Sequence, residues 1–138
     1  MTQPIEFTVY GEAKPKGSTR AFVVNNKAIT TTNNPNAKDW QKLVALSAQE
    51  HRPPGGPFVG AVQLYADFYF QRPQSVSVKK RPFHTVKPDL DKLVRNIGDA
   101  LKGIVYAEDA RIVSITARKI YDDTPRVEIM VIPIQEVE

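Results

Sequence analysis

Acidic residues gather around one segment of a chain that is otherwise basic. Lys87-Pro88-Asp89-Leu90-Asp91 places two carboxylates two residues apart, and Asp109, preceded by Glu108, follows eighteen residues after Asp91. Carboxylate oxygens are the ligands that Mg²⁺ and Mn²⁺ prefer, and such a cation can activate water and stabilise charge on a phosphate. Carboxylates inside a positive surface suit a metal-dependent nuclease, because the surrounding charge would hold the phosphate backbone.

The spacing of Asp89 and Asp91 makes a definite structural demand. Two residues of a regular helix are separated by ~200° of rotation, so these side chains would point to opposite sides. They can share a metal only if Asp89 precedes the helix in an extended or N-cap conformation, with Asp91 in the first turn. Pro88 permits this arrangement, since a helix can start just after a proline. Asp109 would reach the helix N-terminus only if the segment from Ile104, expected to return as a strand, leans across the helix.

An ordinary structural explanation of these carboxylates stays open. Aspartate at a helix start is a common cap that favours the helix dipole, by ~0.5–2 kcal/mol. Asp91 with Arg95, and Arg95 with Asp99, would form i,i+4 ion pairs on a solvated face. Glu108-Asp109 would then be a plain turn. The other chemically capable side chains are interpreted as structural, surface or loop residues: Asp67, Asp122, Asp123, His51 and His84.

Composition excludes several classes of protein. The 138 residues include no cysteine, which rules out disulfides and thiolate metal sites, and the two histidines argue against zinc. No apolar run approaches ~20 residues, and no signal pattern begins the chain, so we expect a soluble, cytoplasmic protein with one domain over residues 1–138. The net charge of +4 is uneven: residues 1–88 carry 12 Lys/Arg against 5 Asp/Glu, and residues 89–138 carry 7 against 10. This distribution favours a polyanionic partner and a separate carboxylate site.

Hydrophobic periodicity predicts the elements that must position the carboxylates. Alternation predicts strands, and three-four spacing predicts two helices, the second ended by Gly103. Asn25-Asn26 is a plausible hairpin turn, and Asp122-Asp123-Thr124-Pro125 is expected to join the last two strands as another hairpin. The predicted strands are 5–10, 22–24, 28–30, 62–70, 111–121 and 126–132, and the predicted helices are 37–50 and 90–101.

Two basic segments flank these elements. Residues 11–20 and 71–88 lack a hydrophobic pattern, and the second is expected to be an extended or mobile loop. Their cations could serve solubility, but their clustering favours contact with DNA phosphates. The predicted DNA-binding residues are Lys14, Lys16, Arg20, Lys79, Lys80, Arg81 and Lys87.

Three motifs together resemble the RusA family of Holliday junction resolvases. They are Lys87–Asp91, Asp99–Tyr106 and Glu108–Ile112, and the strong match covers roughly residues 86–121. The resemblance implies a homodimeric α/β fold of the α+β type, with a mixed β-sheet and two main helices. It also implies a bacterial or phage-encoded enzyme of recombination and repair that nicks four-way DNA junctions symmetrically, with magnesium or alternatively manganese. The family's catalytic, metal-holding aspartates fall on Asp89, Asp91 and Asp109.

The chain departs from the family pattern beside these aspartates. Arg95 stands where a lysine is common, and Lys92 where asparagine is more usual. Arginine keeps the positive charge but cannot easily give up a proton. If the family lysine only stabilises charge near the scissile phosphate, Arg95 suffices as its catalytic counterpart; if it transfers a proton, activity here is low. The main alternative is therefore a junction-binding protein without catalysis, whereas the broad basic loops disfavour a phosphohydrolase of small substrates. Phe83 is a candidate wedge at the crossover.

Overall fold

A computed structural model describes residues 3–17, 19–24, 27–32 and 36–134, and for residues 19–24 and 27–32 it describes the backbone alone. The regular elements within these ranges lie close to the predicted ones. They are β1 (Ile5–Tyr10), β2 (Thr19–Val24), β3 (Lys27–Thr32), α1 (Ala37–Glu50), β4 (Val62–Phe70), α2 (Leu90–Leu101), a short 3₁₀ turn (Asp109–Arg111), β5 (Ile112–Tyr121) and β6 (Arg126–Pro133).

Four of the strands form a mixed sheet in the order β1-β6-β4-β5. β6 is antiparallel to both β1 and β4, whereas β5 is parallel to β4. A parallel neighbour requires a crossover connection, and α2 lies in the segment that makes it. The mixed sheet and the two helices confirm the α+β fold class.

The expected hairpin between β5 and β6 is wrong, because β4 lies between them. The alternate residues of β4 from Val62 to Phe70 are all buried, as suits a central strand with a neighbour on each side. The turn after β5 passes the end of β4, where the Asp122 amide donates to the Phe70 carbonyl at 2.9 Å. Turn composition indicated a reversal of the chain but not which strand would be the neighbour.

Both helices bury an apolar stripe in the core. Trp40, Val44 and Ala48 of α1 are at most 5% exposed, and Leu93 and Ile97 of α2 are fully buried. Burial of one such large side chain stabilises the fold by about 1.5–3 kcal/mol. The buried stripe fixes the rotation of α2 about its axis, and this rotation determines which of its polar residues face solvent.

The segment after α2 is a turn rather than the expected returning strand. Gly103 has φ +79° and ends the helix, as predicted. Its amide donates to the Tyr106 carbonyl at 2.8 Å, and Phe58 forms backbone bonds with the same turn through Val105 and Ala107. The buried side chains of Val105 and Tyr106 hold this turn against the core, so the chain reaches Asp109 without crossing α2 as a strand.

β2 begins within the first basic segment, residues 11–20, and the second basic segment, residues 71–88, connects β4 to α2. β2 and β3 pair with each other as an antiparallel hairpin, as predicted, although its turn at Asn25 and Asn26 lies outside the described residues. Residues 71–88 are folded rather than extended, with local bonds such as that from the Arg81 amide to the Ser77 carbonyl at 3.0 Å. Within the described ranges, every helix is too short or too polar to cross a membrane.

Candidate active site

The start of α2 meets the structural demand made by the two aspartates. Asp89 is the N-cap residue with φ −70° and ψ 137°, an extended conformation, and Asp91 lies in the first turn. The Asp89 side chain makes no capping hydrogen bond. Its carboxylate is 53% exposed, and the Lys92 ammonium lies 3.7 Å away. Helix capping therefore does not account for the Asp89 carboxylate, which remains open to a ligand.

Lys119 ties the segment before Asp89 to the sheet, and sequence reasoning missed it. Its ammonium donates to the carbonyls of Val86 at 2.8 Å and Pro88 at 3.0 Å. Lys119 pairs with Phe68 of β4 in the register of the sheet, so these two hydrogen bonds, called the Lys119 tether below, connect the segment before Asp89 to the sheet. The alternation of β5 was the available signal, because it puts Lys119 on the same face as the half-buried Ala117.

Arg95 lies between the second and third aspartates. Two adjoining grooves share Val94, Arg95 and Ile115 as walls; Asp91 lines one groove, and Asp109 lines the other. Arg95 is exposed and makes no ion pair within the described part of the chain, so the pairs with Asp91 and Asp99 that belonged to the structural alternative are not formed. Its guanidinium is thus left to interact with an anion brought by a substrate.

The first basic loop lies along α2, with Lys16 as the contact. The Lys16 ammonium is 2.6 Å from the Asp99 carboxylate, and the Lys16 amide donates to the Lys92 carbonyl at 3.0 Å. The Lys14 ammonium lies 3.7 Å from Glu12. The loop is therefore held beside the acidic face of the helix, and its assignment to DNA binding stays a prediction.

Asn96 joins this loop to both helices; sequence reasoning missed it, although its spacing from Leu93 and Ala100 places it on the buried face of α2. The side chain is fully buried, and its Nδ2 donates to the carbonyls of Lys14 and Ala37, each at 3.1 Å. Oδ1 has no partner within the described part of the chain. One amide thus fixes α2 relative to α1 and to the basic loop.

Asp109 shares a groove with Val94 and Arg95 of α2, and its expected approach to the helix N-terminus stays a prediction. Its groove is also lined by Gly98 and Asp99. The buried Tyr106 hydroxyl donates to the Gly98 carbonyl at 2.7 Å. Burial, and then the charges of Asp109 and Asp99, raise the pKa of Tyr106, so this phenol stays protonated. Tyr106 therefore anchors the region in which Asp109 is placed.

The donor set suits a hard divalent cation, although its members are not gathered. Asp89, Asp91 and Asp109 are exposed oxygen donors, the type that Mg²⁺ takes. Among the residues whose side chains are described, no three His, Cys, Asp or Glu side chains form a group that could hold a metal ion. The three-aspartate ligand set therefore stays a prediction.

The remaining predicted residues fall into three groups. Lys79, Lys80 and Lys87 are exposed, Arg81 is half-buried, and the side chain of Arg20 lies outside the description. Asp67 is structural as interpreted, forming two hydrogen bonds with Arg118, and Asp122 pairs with Arg126 at 2.6 Å. The loop residue Phe83 is 74% exposed, whereas the loop residue His84 is buried at 8% exposure. Among the residues that the structure describes, no contact gives Asp123 a role, and His51 is an exposed helix-end histidine, as expected.

Two comparisons with known proteins cover nearly the whole chain. The family model described as "Endodeoxyribonuclease RusA" matches residues 12–132, a range that includes every predicted catalytic and DNA-binding residue. An uncharacterized protein of Bacillus subtilis (strain 168), YqaN, is 34% identical over 136 residues, covering 92% of this chain and 94% of that protein.

Proposed function

Because this chain belongs to the RusA endodeoxyribonuclease family, we propose that it resolves four-way DNA junctions by paired symmetric nicks that require a divalent metal ion. The observation that supports this most strongly is the start of α2. There the backbone of Asp89 is extended and its carboxylate makes no capping hydrogen bond, and Asp91 follows in the first helical turn. A buried helix that presents exposed carboxylates is a rigid base for phosphodiester hydrolysis.

Each residue near α2 has a distinct role in this proposal. Asp89, Asp91 and Asp109 would hold Mg²⁺ or Mn²⁺, and a bound ion would activate water and polarise the scissile phosphate. Arg95, which is not engaged in an ion pair within the described residues, would neutralise part of the charge that grows on the phosphate oxygens. Lys119 would act as a positioning residue that keeps the backbone before Asp89 in place.

The basic segments would follow the arms of the junction. Lys79, Lys80 and Lys87 are exposed, and with Arg81 they give the folded loop 71–88 a concentrated positive charge. Phosphate contacts of this kind position a protein without reading sequence. We extend the same role to the loop cations Lys14 and Lys16 and to Arg20 of β2, and we assign to Phe83 the wedge at the crossover.

We also propose that two copies act together, each as one domain over residues 1–138, on cytoplasmic DNA in recombination and repair. A two-fold dimer matches the two-fold character of a junction and brings two sites to opposed strands. β5 is an edge strand whose Val113 is 62% exposed, which suits coverage by a second chain. Sedimentation equilibrium tests this, and a monomer at micromolar concentration in the presence of junction DNA would contradict it.

Cleavage of a synthetic four-way junction tests the function itself. The wild-type protein should make paired symmetric nicks with magnesium and none with a chelator, and Asp91→Asn should abolish them. Asp123→Asn removes the same charge from an exposed turn and should cut normally. Nicks by Asp91→Asn at the wild-type rate would reject the assigned site.

A second candidate is a junction-binding protein without catalysis. Two observations favour it: the described carboxylates are not gathered for metal binding, and Arg95 replaces the family's common lysine. This alternative predicts salt-sensitive, metal-independent binding of the junction and no nicks with magnesium or manganese. Restoration of nicking by Arg95→Lys would then identify position 95 as the cause.

A further inference from the structure

A pocket opens beside the segment that leads into Asp89. Its volume is about 340 Å³, near the lower end of the range for small-molecule sites. Val86, Lys87 and Pro88 form one wall, and the ends of β4 and β5 contribute Phe70 and Tyr121. The pocket is too small for a DNA duplex and large enough for a planar group.

Aromatic rings form the inner wall of this pocket. The rings of Phe70 and His84 stack with their centroids 4.5 Å apart, and the Tyr121 ring lies 5.1 Å from His84. The Arg72 guanidinium lies over the Tyr121 ring at 4.1 Å. Phe70 and His84 are 5% and 8% exposed, so the wall is packed before any ligand arrives. Of these groups, the rings of Phe70, His84 and Tyr121 line the pocket, and aromatic rings are surfaces on which unstacked bases pack.

Two polar atoms of the same wall have no protein partner. His84 Nδ1 and Tyr121 Oη are buried and make no hydrogen bond within the described part of the chain. Burial, and then the charge of Lys119, lower the pKa of His84, so its ring is neutral at pH 7. Buried polar atoms are nearly always hydrogen-bonded, to protein, water or ligand. The exposed rim adds Glu12 and Gln71, whose side chains carry further acceptors and a donor.

The position of the pocket relates it to the proposed nuclease site. Pro88 lines the pocket and Asp89 follows it, and consecutive Cα atoms lie only a few ångströms apart. Lys119 binds the carbonyls of Val86 and Pro88, so the shared wall is tied to β5. A nucleotide whose base entered the pocket would have its phosphate near the carboxylates.

We propose that this pocket receives one unstacked nucleobase of the strand that is cut, next to the scissile phosphate. The proposal rests on the function proposed above and adds a binding site for the substrate. Stacking on the pocket wall would hold the base without strict sequence readout, while the unpartnered polar atoms and the rim would favour some bases over others. The energy needed to unstack a base is lowest where pairing is already disturbed, as at a crossover.

An abasic scan of the junction tests the proposal. The Asp91→Asn variant is used because it should not cut the DNA. Its affinity is measured for a series of junctions, each with a single abasic site at a different position near the expected cleavage site. Removal of the bound base should weaken binding about 5- to 100-fold at one position in the cut strand, the range expected for one stacked base. Uniform affinity across the scan overturns the pocket proposal.

Two pocket-filling variants make the test specific to this site. The variants Val86→Phe and Gln71→Trp are each made in the Asp91→Asn background. For each of them, the affinities for the intact junction and for the junction with the abasic site should differ by less than twofold. Val78→Phe enlarges an exposed valine of the same loop outside the pocket and should discriminate as the parent does. Filled variants that still discriminate would overturn the pocket while the nuclease stands, whereas failure of the unsubstituted protein to bind a junction would overturn both.

Discussion

At the residue scale, Arg95 is the position at which geometry is most informative, and the sequence resemblance leads us to expect a lysine there. Its side chain is exposed between Asp91 and Asp109, and neither carboxylate pairs with it. Because the Arg95 guanidinium makes no ion pair with the described residues, it can bind a phosphate without first breaking one. A guanidinium also stays charged at every physiological pH, so its contribution is electrostatic rather than proton transfer.

Substitution of Arg95 should separate these two kinds of chemistry. Arg95→Gln should lower the rate of junction cleavage by about 10²–10³-fold, the usual cost of losing a group that stabilises charge in the transition state. Arg95→Lys keeps the charge and should stay within about tenfold of the wild-type rate. Single-turnover cleavage measures both, and Arg118→Gln, on the opposite face of β5, is the control for lost charge. A rate for Arg95→Gln equal to that of Arg118→Gln would remove Arg95 from the catalytic set.

At the element scale, the start of α2 depends on a strand that follows it in sequence. Lys119 of β5 holds the carbonyls on both sides of Lys87, and the backbone reaches Asp89 directly afterwards. Groups that orient metal ligands typically contribute 10–100-fold to affinity or activity. Under the proposed function, in which Asp89 holds the metal, the Lys119 tether gives β5 a positioning role in addition to its place in the sheet.

Loss of this tether should weaken metal binding before it affects the fold. Lys119→Met should raise the magnesium concentration for half-maximal cleavage about 10–100-fold, while Lys119→Arg, which can donate to both carbonyls, should restore most of it. Magnesium titrations of the cleavage rate measure the shift, with circular dichroism to verify folding. Arg118→Met changes the neighbouring side chain on the opposite face and should leave the titration unchanged. A shift of equal size in both variants would indicate general damage to β5.

The buried Asn96 side chain, which connects α1 and α2, should contribute to the stability of the fold. Asn96→Ala removes a fully buried side chain and its two hydrogen bonds to the Lys14 and Ala37 carbonyls, and each lost hydrogen bond costs about 0.5–1.5 kcal/mol. We expect the free energy of unfolding in urea to fall by about 2–4 kcal/mol. Asp99→Asn removes only the half-exposed ion pair with Lys16 and should cost less than about 1 kcal/mol. An equal loss of unfolding free energy in the two variants would show that the buried Asn96 amide stabilises the fold no more than the half-exposed ion pair does.

At the scale of the whole molecule, local patterns predicted the elements and failed on their arrangement. The bounds of α1, β4 and α2 were anticipated because alternation and helical periodicity are properties of neighbouring residues. The extended backbone of Asp89 was likewise anticipated, because two aspartates two residues apart can share a metal only if the first precedes the helix, an arrangement that Pro88 permits. The insertion of β4 between β5 and β6, and the Lys119 tether, join residues that are distant in sequence, and nothing in a local pattern encodes such contacts.

Positive charge is spread over the whole molecule, and the salt dependence of DNA binding shows which cations contact phosphates. If the basic cluster Lys79-Lys80-Arg81 contacts phosphates, its replacement by three glutamines should reduce the slope of log affinity against log salt by about 2–3, since each contact contributes about 0.9. Junction binding by Asp91→Asn protein between 50 and 200 mM salt, about the range over which such contacts are felt, measures the slope. Replacement of Lys38, Lys42 and Arg52, exposed in and after α1, removes the same charge elsewhere. An equal change in slope for both variants would mean that net charge, not the loop, attracts the DNA.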